Sequence, residues 1–265
     1  MEGISYVSMI RSLRLSKRMG QTFLVNEAIA RQEAGLAAGM RVVELGAGLG
    51  ILTRELCAVA KSVLAVEIDG VLYEHLRNSF HSDNLTLVHK DFFDMPAGDF
   101  EGVDLLVSNA PYSLSSKTVL WVCEHRIPAV LCLQKEFVEH MMAKPGTHNY
   151  SRLSVLSALQ IEMEYVRDVG AGNFYPRPKV DSCVIRLNPA GSVDKRTAGI
   201  IGILMSQKKK TMKSAILASV KPLGISKDRA RELSDAIADR NERVFKLSPS
   251  ALLSIATKIG KELST

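Results

Sequence analysis

The feature that most constrains the fold of this chain is the alternation of strand-like and helical segments in its first two thirds. Residues 41–45 (RVVEL) have the composition of a buried strand and lead directly into the glycine-rich loop 46–50 (GAGLG). A helical pattern over 51–60 follows, and then a second strand-like segment at 62–68 (SVLAVEI). Strands that alternate with helices form βαβ units and a parallel sheet. We therefore predict an α/β fold with a mostly parallel, doubly wound, Rossmann-like sheet.

The same alternation continues to residue 187. Further strands are predicted at 85–89, 103–108 and 129–134, and further helices at 70–80, 115–125 and 136–143. Two later strands, around 162–169 and 182–187, are expected to close one edge of the sheet. Open sheets of this kind bind ligands at the carboxyl ends of their strands. The residues that follow each predicted strand are therefore the candidates for a site.

The charge of the chain changes at residues 188–192 (NPAGS), where turn-forming residues indicate a domain boundary. Residues 1–188 contain 19 Lys and Arg against 21 Asp and Glu, whereas residues 189–265 contain 15 against 7. This asymmetry is typical of a protein with a polyanionic partner such as nucleic acid. A solvated basic surface without a partner explains it equally well. We predict an α/β domain over 1–188 and a small, basic, all-helical domain over 189–265.

Helical patterns dominate that second domain. Residues 200–220 predict one long helix, and its basic face comprises Lys208, Lys209, Lys210 and Lys213. Ser226 is expected to cap a helix that runs to about residue 239. Ser248 followed by Pro249 begins the last helix, because proline suits the first helical position.

The composition argues against several other classes of protein. No apolar run approaches the ~20 residues that span a bilayer, so no membrane association is expected. The segment before Gln21 loosely resembles a mitochondrial presequence, but the motifs that begin at Gln21 leave little room for a removable leader. The histidines have no ligand spacing and the cysteines form no CxxC pair, so no metal site is predicted. The cysteines have the character of buried thiols in a reducing compartment, and we expect a cytoplasmic monomer.

The glycine loop is the first sign of a ligand. Gly46 and Gly48 allow a tight turn and a close approach of the backbone to a bound molecule. Glu67 ends the next strand, where a carboxylate can accept hydrogen bonds from ribose hydroxyls. Flavin, NAD and S-adenosylmethionine enzymes share such loops, so a dinucleotide remains possible on these features alone. Ile51 stands where the third dinucleotide-loop glycine would be, and S-adenosylmethionine, which has no phosphate, needs less of that geometry.

A further candidate follows the third predicted strand. Asp91 can bind the amino group of a cofactor adenine, with Phe92 beside the ring. An aspartate that only caps the next turn is the simpler explanation for Asp91 taken alone. Polar residues at the ends of three successive strands favour a ligand site.

Residues 109–112 (NAPY) follow the fourth predicted strand and indicate the chemistry. An exocyclic amine on an aromatic ring is a poor nucleophile because its lone pair is delocalised. Two acceptors, the Asn109 side-chain oxygen and the Ala110 carbonyl, would draw that nitrogen toward pyramidal geometry and aim its lone pair at a methyl donor. Pro111 stiffens the turn, and Tyr112 offers a ring for base stacking. For the tetrapeptide alone, an ordinary strand-ending turn is the alternative.

Several motifs occur in an order that resembles one family. They are GQTFL at 20–24, GAGLG at 46–50, AVEID at 65–69, KDF at 90–92, NAPY at 109–112, LQKE at 133–136, YSRLSV at 150–155 and FYPRPKVDS at 174–182. Over residues 17–187 the chain resembles the ribosomal RNA small-subunit adenine N6-dimethyltransferases. The resemblance implies S-adenosylmethionine as cofactor and small-subunit rRNA, or the pre-ribosomal small subunit, as partner. It implies two methyl transfers to N6 of each of two adjacent adenosines near the 3′ end of that rRNA, in small-subunit biogenesis.

The resemblance also implies roles for individual residues. Together with the glycine-loop residues already described, which are included here, the expected cofactor contacts are Gln21, Thr22, Leu24, Gly46, Gly48, Glu67, Asp91, Phe92 and Asn109. Phe174 is placed near the target base, on which its ring would stack. The basic segment 11–18 and the C-terminal domain are expected to hold RNA phosphates.

Two departures from the family pattern leave alternatives open. The family usually has a larger aliphatic residue where Ala110 stands, so the target pocket is expected to be wider or the loop packed differently. It often has His or Asn where Thr22 stands, so a contact there is expected through the backbone. The alternatives are a 23S-type rRNA adenine methyltransferase, a protein-glutamine or DNA amino-methyltransferase, and a non-catalytic assembly factor that keeps the fold.

Overall fold

The computed structural model describes residues 6–12 and 22–263. The described residues form two compact units: one comprises those up to Lys135 together with Met163–Pro189, and the other comprises Glu136–Glu162 and those from Ala190 onward. The predicted boundary after residue 188 lies one residue from the last of these divisions. The structure differs for 136–162, which the sequence assigned to the first domain. Tyr150 and Val155 in that segment are buried in the apolar core of the helical unit.

A large sheet forms the centre of the first unit. The strands are β1 Phe23–Leu24, β2 Arg41–Leu45, β3 Ser62–Glu67, β4 Leu85–His89, β5 Leu105–Ser108, β6 Ala129–Gln134, β7 Ile161–Val169, β8 Phe174–Tyr175 and β9 Ser182–Pro189. The order in the large sheet is β4-β3-β2-β5-β6-β9-β7. The first five strands in this order, β4, β3, β2, β5 and β6, run parallel to one another, and β9 is antiparallel to β6. The predicted mostly parallel sheet, with two late strands at its edge, is confirmed.

The winding of this sheet determines where a ligand can bind. Strand β2 lies between β3 and β5, so the chain proceeds to opposite sides after β2 and after β5. At such a point the loops that leave the two strands separate and open a crevice at their carboxyl ends. The glycine loop follows β2, and the NAPY segment follows β5. Both motifs therefore flank the crevice.

Helices cover the sheet of the first unit. They are α1 Tyr6–Ser12, α2 Glu27–Gly35, α3 Ile51–Val59, α4 Gly70–Ser79 and α5 Ser115–His125. Asn26 and Asp69 cap α2 and α4, because their side chains accept hydrogen bonds from backbone N–H groups of the first turn. Strand β5 is buried along its whole length, as expected of a parallel strand with helices on both faces. Helices α1 and α2 were not predicted from the sequence.

The second unit is helical. Its helices are α6 Lys135–Met141, α7 Arg152–Gln160, α8 Lys195–Ser206, α9 Met212–Ala218, α10 Val220–Leu223, α11 Lys227–Asp235 and α12 Pro249–Glu262. Ser226 and Ser248 cap α11 and α12, as predicted. No helix in residues 6–12 and 22–263 has the length and apolar character needed to cross a membrane.

The prediction of one long helix over 200–220 is wrong. Helix α8 ends at Ser206, and α9 begins after Thr211, whose hydroxyl accepts a hydrogen bond from the Ser214 N–H. Between them the chain bonds to a distant segment, since the Val244 N–H donates to the Lys210 carbonyl at 3.0 Å. The predicted basic face is therefore not the face of a single helix.

Candidate active site

A cavity of about 200 Å³ lies at the carboxyl ends of β2, β3, β4 and β5. Residues from the loop after each of these strands line it, together with Thr22, Phe23 and Leu24. The sequence-predicted residues in its lining are Thr22, Leu24, Gly46, Gly48, Glu67, Asp91, Phe92, Asn109, Ala110 and Pro111. The crevice expected from the sheet winding therefore exists, and it gathers these residues. Gln21 and the side chains of the basic segment 11–18 lie outside the described residues.

The glycine loop forms one wall of the cavity. Gly46 and Gly48 have φ angles of 76° and 58°, in the left-handed region where a Cβ atom is unfavourable. A Cβ atom at Gly48 would lie 3.3 Å from Cδ1 of Phe23, which is tighter than an ordinary contact. The loop therefore needs glycine for both its turn and its packing against Phe23.

Glu67 lies beside this loop and is almost fully buried. Its Oε2 accepts a hydrogen bond from the Gly48 N–H at 2.8 Å, and its Oε1 accepts one from the Asp69 N–H at 2.8 Å. Burial raises the pKa of the carboxyl, and the two backbone donors act against that rise. Each carboxylate oxygen can accept more than one hydrogen bond, so Glu67 keeps acceptor capacity for hydroxyl groups of a ligand.

Asp91 and Phe92 lie on another wall. Asp91 Oδ1 accepts a hydrogen bond from the Phe93 N–H at 2.9 Å and so caps a short 3₁₀ turn. Asp91 therefore caps this turn and also lines the cavity. Phe92 is buried against Trp121, with the ring centroids 4.9 Å apart. Trp121 is thus a core residue.

The segment after β5 completes the cavity. The Ser108 hydroxyl donates to the Leu45 carbonyl at 2.9 Å and accepts from the Ala110 N–H at 3.1 Å, which ties the loop to β2. The Asn109 side-chain NH₂ donates to Oε2 of Glu33 at 2.8 Å. Asn109 Oδ1 is buried and has no hydrogen-bond partner among the described residues. A buried acceptor without a partner is costly, so a donor on a ligand would satisfy it.

Two predicted residues lie apart from the lining of this cavity. Tyr112 is half-buried, and its hydroxyl is 2.6 Å from the Ser182 hydroxyl. Phe174 is 5% exposed and lies in the apolar core, where β8 pairs with β1 opposite Leu24. Neither residue lines the cavity. Base stacking by these two rings stays a prediction.

The sequence analysis missed several residues around the site. Glu44 on β2 lines the cavity, accepts a hydrogen bond from the Thr53 hydroxyl at 2.7 Å, and has its pKa raised to about 8 by burial. Lys117 also lines it, with its Nζ 4.0 Å from the centroid of the Phe93 ring. Glu33 contacts Asn109 from α2. Glu33 on α2 and Glu44 on β2 could not be recognised as site residues from the sequence, because both stand at positions that normally hold buried apolar side chains.

The described part of the chain contains neither a cluster of metal ligands nor a disulfide. Among residues 6–12 and 22–263, no group of three or more His, Cys, Asp or Glu side chains is arranged to hold a metal ion. Cys57, Cys123, Cys132 and Cys183 are free thiols.

Comparison with known families shows what kind of protein the chain is. The family described as "Ribosomal RNA adenine dimethylase" matches residues 12–259. The chain belongs to this family. It is therefore an enzyme, an adenine dimethyltransferase with the Rossmann-like fold, and its cofactor is S-adenosylmethionine.

Individual relatives agree with this membership. A protein of Thermococcus gammatolerans named "Probable ribosomal RNA small subunit methyltransferase A" is 35% identical over 250 residues, which cover 92% of this chain and 89% of the relative. The crystal structure of a dimethyladenosine transferase from Plasmodium falciparum matches with a TM-score of 0.75 at 25% identity, covering 89% and 97% of the two chains. The 23S rRNA methyltransferase ErmE matches with a TM-score of 0.58 at 24% identity, covering 89% and 99%. This last likeness shows a shared fold alone.

The cavity of this family member fits its cofactor. Gly46 and Gly48 present backbone without side chains, Glu67 and Asp91 present acceptors, and Phe92 presents an apolar edge. Asn109 Oδ1 is the buried acceptor that still lacks a donor. Exposed backbone, carboxylate acceptors and an apolar edge are the features that a cavity for a nucleoside-containing cofactor needs.

Proposed function

We propose that this enzyme transfers two methyl groups to N6 of each of two adjacent adenosines near the 3′ end of small-subunit rRNA, as a step in small-subunit biogenesis. The name of the Thermococcus gammatolerans relative supports the choice of the small subunit. We also propose that it acts as a monomer in the cytoplasm, on free rRNA or on the pre-ribosomal particle.

The observation that carries this proposal is the state of Asn109. The residue lines the cavity directly after β5, and its Oδ1 is buried without a partner. A neutral amide oxygen accepts a hydrogen bond from an amine without becoming a competing nucleophile. It is therefore suited to hold an exocyclic N–H while the nitrogen lone pair turns toward a methyl donor.

The other residues take supporting roles in the proposed reaction. When bound, S-adenosylmethionine supplies an electrophilic methyl group on its sulfonium. Glu67 and Asp91 hold the ribose and adenine groups of the cofactor, and the loop around Gly46 and Gly48 lies against it. Thr22, Leu24 and Phe92 complete the proposed binding set, and Gln21 belongs to it by resemblance.

The target adenine is held by a second set of residues in this proposal. Asn109 Oδ1 and the Ala110 carbonyl accept the two N–H bonds of the amine, and Pro111 keeps the turn rigid. Tyr112 and Phe174 stack on the base, which must leave its own helix or come from an unpaired strand. The small Ala110 side chain leaves room for an amine that already carries one methyl.

RNA binding is assigned to the basic second unit. That unit contains 17 Lys and Arg against 10 Asp and Glu. Cationic side chains bind phosphates without reading sequence, so they add affinity while the catalytic unit selects the base.

Replacement of Asn109 tests the proposal. We expect Asn109→Ala to lower the methylation of small-subunit rRNA about a hundredfold or more, because removing a hydrogen-bond partner of the reacting group costs rates of this order. Asn78→Ala is the matched control, since Asn78 is exposed on α4 and does not line the cavity. Each enzyme variant is incubated with unmodified small and large ribosomal subunits. Mass spectrometry of the small-subunit and large-subunit rRNAs then reports the target and the number of methyl groups. Unchanged methylation in Asn109→Ala contradicts the proposed site, and methyl groups on large-subunit rRNA alone contradict the proposed substrate.

A further inference from the structure

Glu33 is a buried acid on α2 whose position packing does not explain. It is 2% exposed, and burial raises its pKa to about 7. Its Oε2 accepts the hydrogen bond from the Asn109 NH₂, whereas its Oε1 is buried without a partner among the described residues. A buried carboxyl with an unsatisfied oxygen lowers folding stability. An apolar residue at this position of α2 would pack without that cost.

The contact with Asn109 has a chemical consequence. The two ends of a carboxamide have nearly the same shape, so packing alone does not choose which end faces the cavity. An ionised carboxylate can only accept hydrogen bonds. Glu33 therefore selects the NH₂ end of Asn109 as its own partner, and the oxygen is left for a ligand.

We propose that Glu33 is a positioning residue that holds the Asn109 carboxamide with its oxygen directed to the target amine. The inference rests on the proposed function, because it matters only if Asn109 accepts that amine. Glu33 acts through Asn109, since it is not among the residues that line the cavity. Without it, the amide can rotate and present its NH₂ group, which repels an incoming N–H.

The surroundings of Glu33 determine when it is ionised. Arg167 on β7 lowers the pKa of Glu33, and Glu44 on β2 and Cys132 on β6 also face it. The Asn109 hydrogen bond lowers the pKa as well. A protonated Glu33 can donate to the amide oxygen, which removes the selection. Activity should therefore fall as Glu33 takes up a proton.

Three variants test this role, with kcat and KM for S-adenosylmethionine measured on unmodified small subunits. Glu33→Met removes the acceptor at similar volume, and we expect kcat to fall about tenfold or more with KM changed less than about twofold, since a lost transition-state contact lowers kcat alone. Glu33→Gln can present either end of its own amide, so we expect a smaller loss of kcat and no decrease of kcat toward acid pH near 7. Ile29→Ala, at another buried position of α2, should lower the melting temperature with kcat unchanged.

The outcomes separate this inference from the proposed function. Wild-type kcat in Glu33→Met, with Asn109→Ala inactive, overturns the positioning role alone. Full activity of Asn109→Ala overturns the proposed site itself. A loss of kcat in Ile29→Ala equal to that in Glu33→Met shows a structural role for α2 instead. If Glu33→Met does not fold, the pH profile of Glu33→Gln decides, and an acid decrease identical to that of the wild type overturns the inference.

Discussion

Gly46 shows how strongly one backbone position constrains the proposed cofactor site. Its φ angle of 76° lies in the left-handed region, and its N–H donates to the Val66 carbonyl at 2.9 Å. A Cβ atom at this position would lie 3.6 Å from the Cβ of Ala110, which is an ordinary contact distance. Space therefore permits a side chain here, and the backbone conformation opposes it.

We expect Gly46→Ala to weaken cofactor binding. A left-handed conformation costs a residue with a Cβ about 1–2 kcal/mol, and a loop that relaxes to avoid this cost loses its fit to the ligand. The expected loss of S-adenosylmethionine affinity is about five- to thirtyfold, the factor that corresponds to such energies. Calorimetric titration measures it. Gly35→Ala is the matched control, because Gly35 ends α2 and a Cβ there meets no atom within 4 Å; equal affinities of the two variants contradict the prediction.

Site residues at strand ends could be predicted from the sequence, and those reaching the site from elsewhere could not. Glu67, Asp91 and Asn109 follow strands, and the carboxyl ends of parallel strands meet at one edge. Glu33 contacts Asn109 across 76 positions of sequence. No local pattern relates two residues so far apart, and an acid in an amphipathic helix is normally exposed to solvent. The resemblance placed Phe174 near the target base, and the structure shows its side chain buried in the core. A motif gives the position of a residue in the chain, but not how far its side chain is buried.

At the scale of elements, the turn between α8 and α9 separates the lysines that the sequence placed on one face. Lys208 Nζ donates to the carbonyls of His148 and Tyr150, at 3.0 and 2.8 Å. Lys213 forms an ion pair with Asp235 at 2.7 Å. Lys209 and Lys210 are exposed, and no ion pair of either is found in the described part of the chain. The four residues therefore divide into two that hold the fold and two that remain for a partner.

We expect Lys209→Ser and Lys210→Ser to weaken RNA binding uniformly across sequences. Each lysine that contacts a phosphate contributes to the salt dependence of affinity. Each substitution should therefore reduce the magnitude of the negative slope of log K, the association constant, against log salt by about 1 or slightly less. Fluorescence anisotropy with labelled small-subunit rRNA at several salt concentrations measures the slope. Lys61→Ser, an exposed lysine of the first unit, controls for the change in net charge. A slope decrease of the same size in Lys61→Ser argues against a specific role of the turn.

The helix prediction over 200–220 failed for a physical reason. Residues 207–210 (QKKK) have good helix propensity, and nothing local ends the helix before Thr211. The turn is stabilised from a distance, because the Met212 N–H donates to the Glu242 carbonyl at 2.8 Å. The strands of the large sheet and helices α3 to α5 were predicted well because local periodicity determines them. Tertiary hydrogen bonds override propensity in the second unit.

At the scale of the whole molecule, the first unit concentrates buried acids around its site. Burial raises the pKa of Glu33 to about 7 and that of Glu44 to about 8, each from 4.5. A unit with a net negative charge thus keeps two carboxyls away from water, and one of them, Glu44, lines the cavity that is proposed to bind S-adenosylmethionine. Above these pKa values both carboxyls are ionised, and their negative field then favours a positive ligand.

The same acids predict the pH dependence of folding. Between about pH 4.5 and pH 8 the folded chain keeps protons on Glu33 and Glu44 that the unfolded chain has released, so stability falls as the pH rises through this window. We expect the free energy of unfolding of the first unit to decrease from pH 5 to pH 8, by an amount on the order of a few kcal/mol at about 1.4 kcal/mol per pKa unit. Urea titration followed by the fluorescence of Trp121, the one tryptophan of the chain, reports on this unit. Burial lowers the pKa of His75, which acts in the opposite direction in every variant. Glu44→Gln should therefore flatten the decrease relative to the wild type, and parallel curves for the two proteins would show that Glu44 is ionised in the folded state.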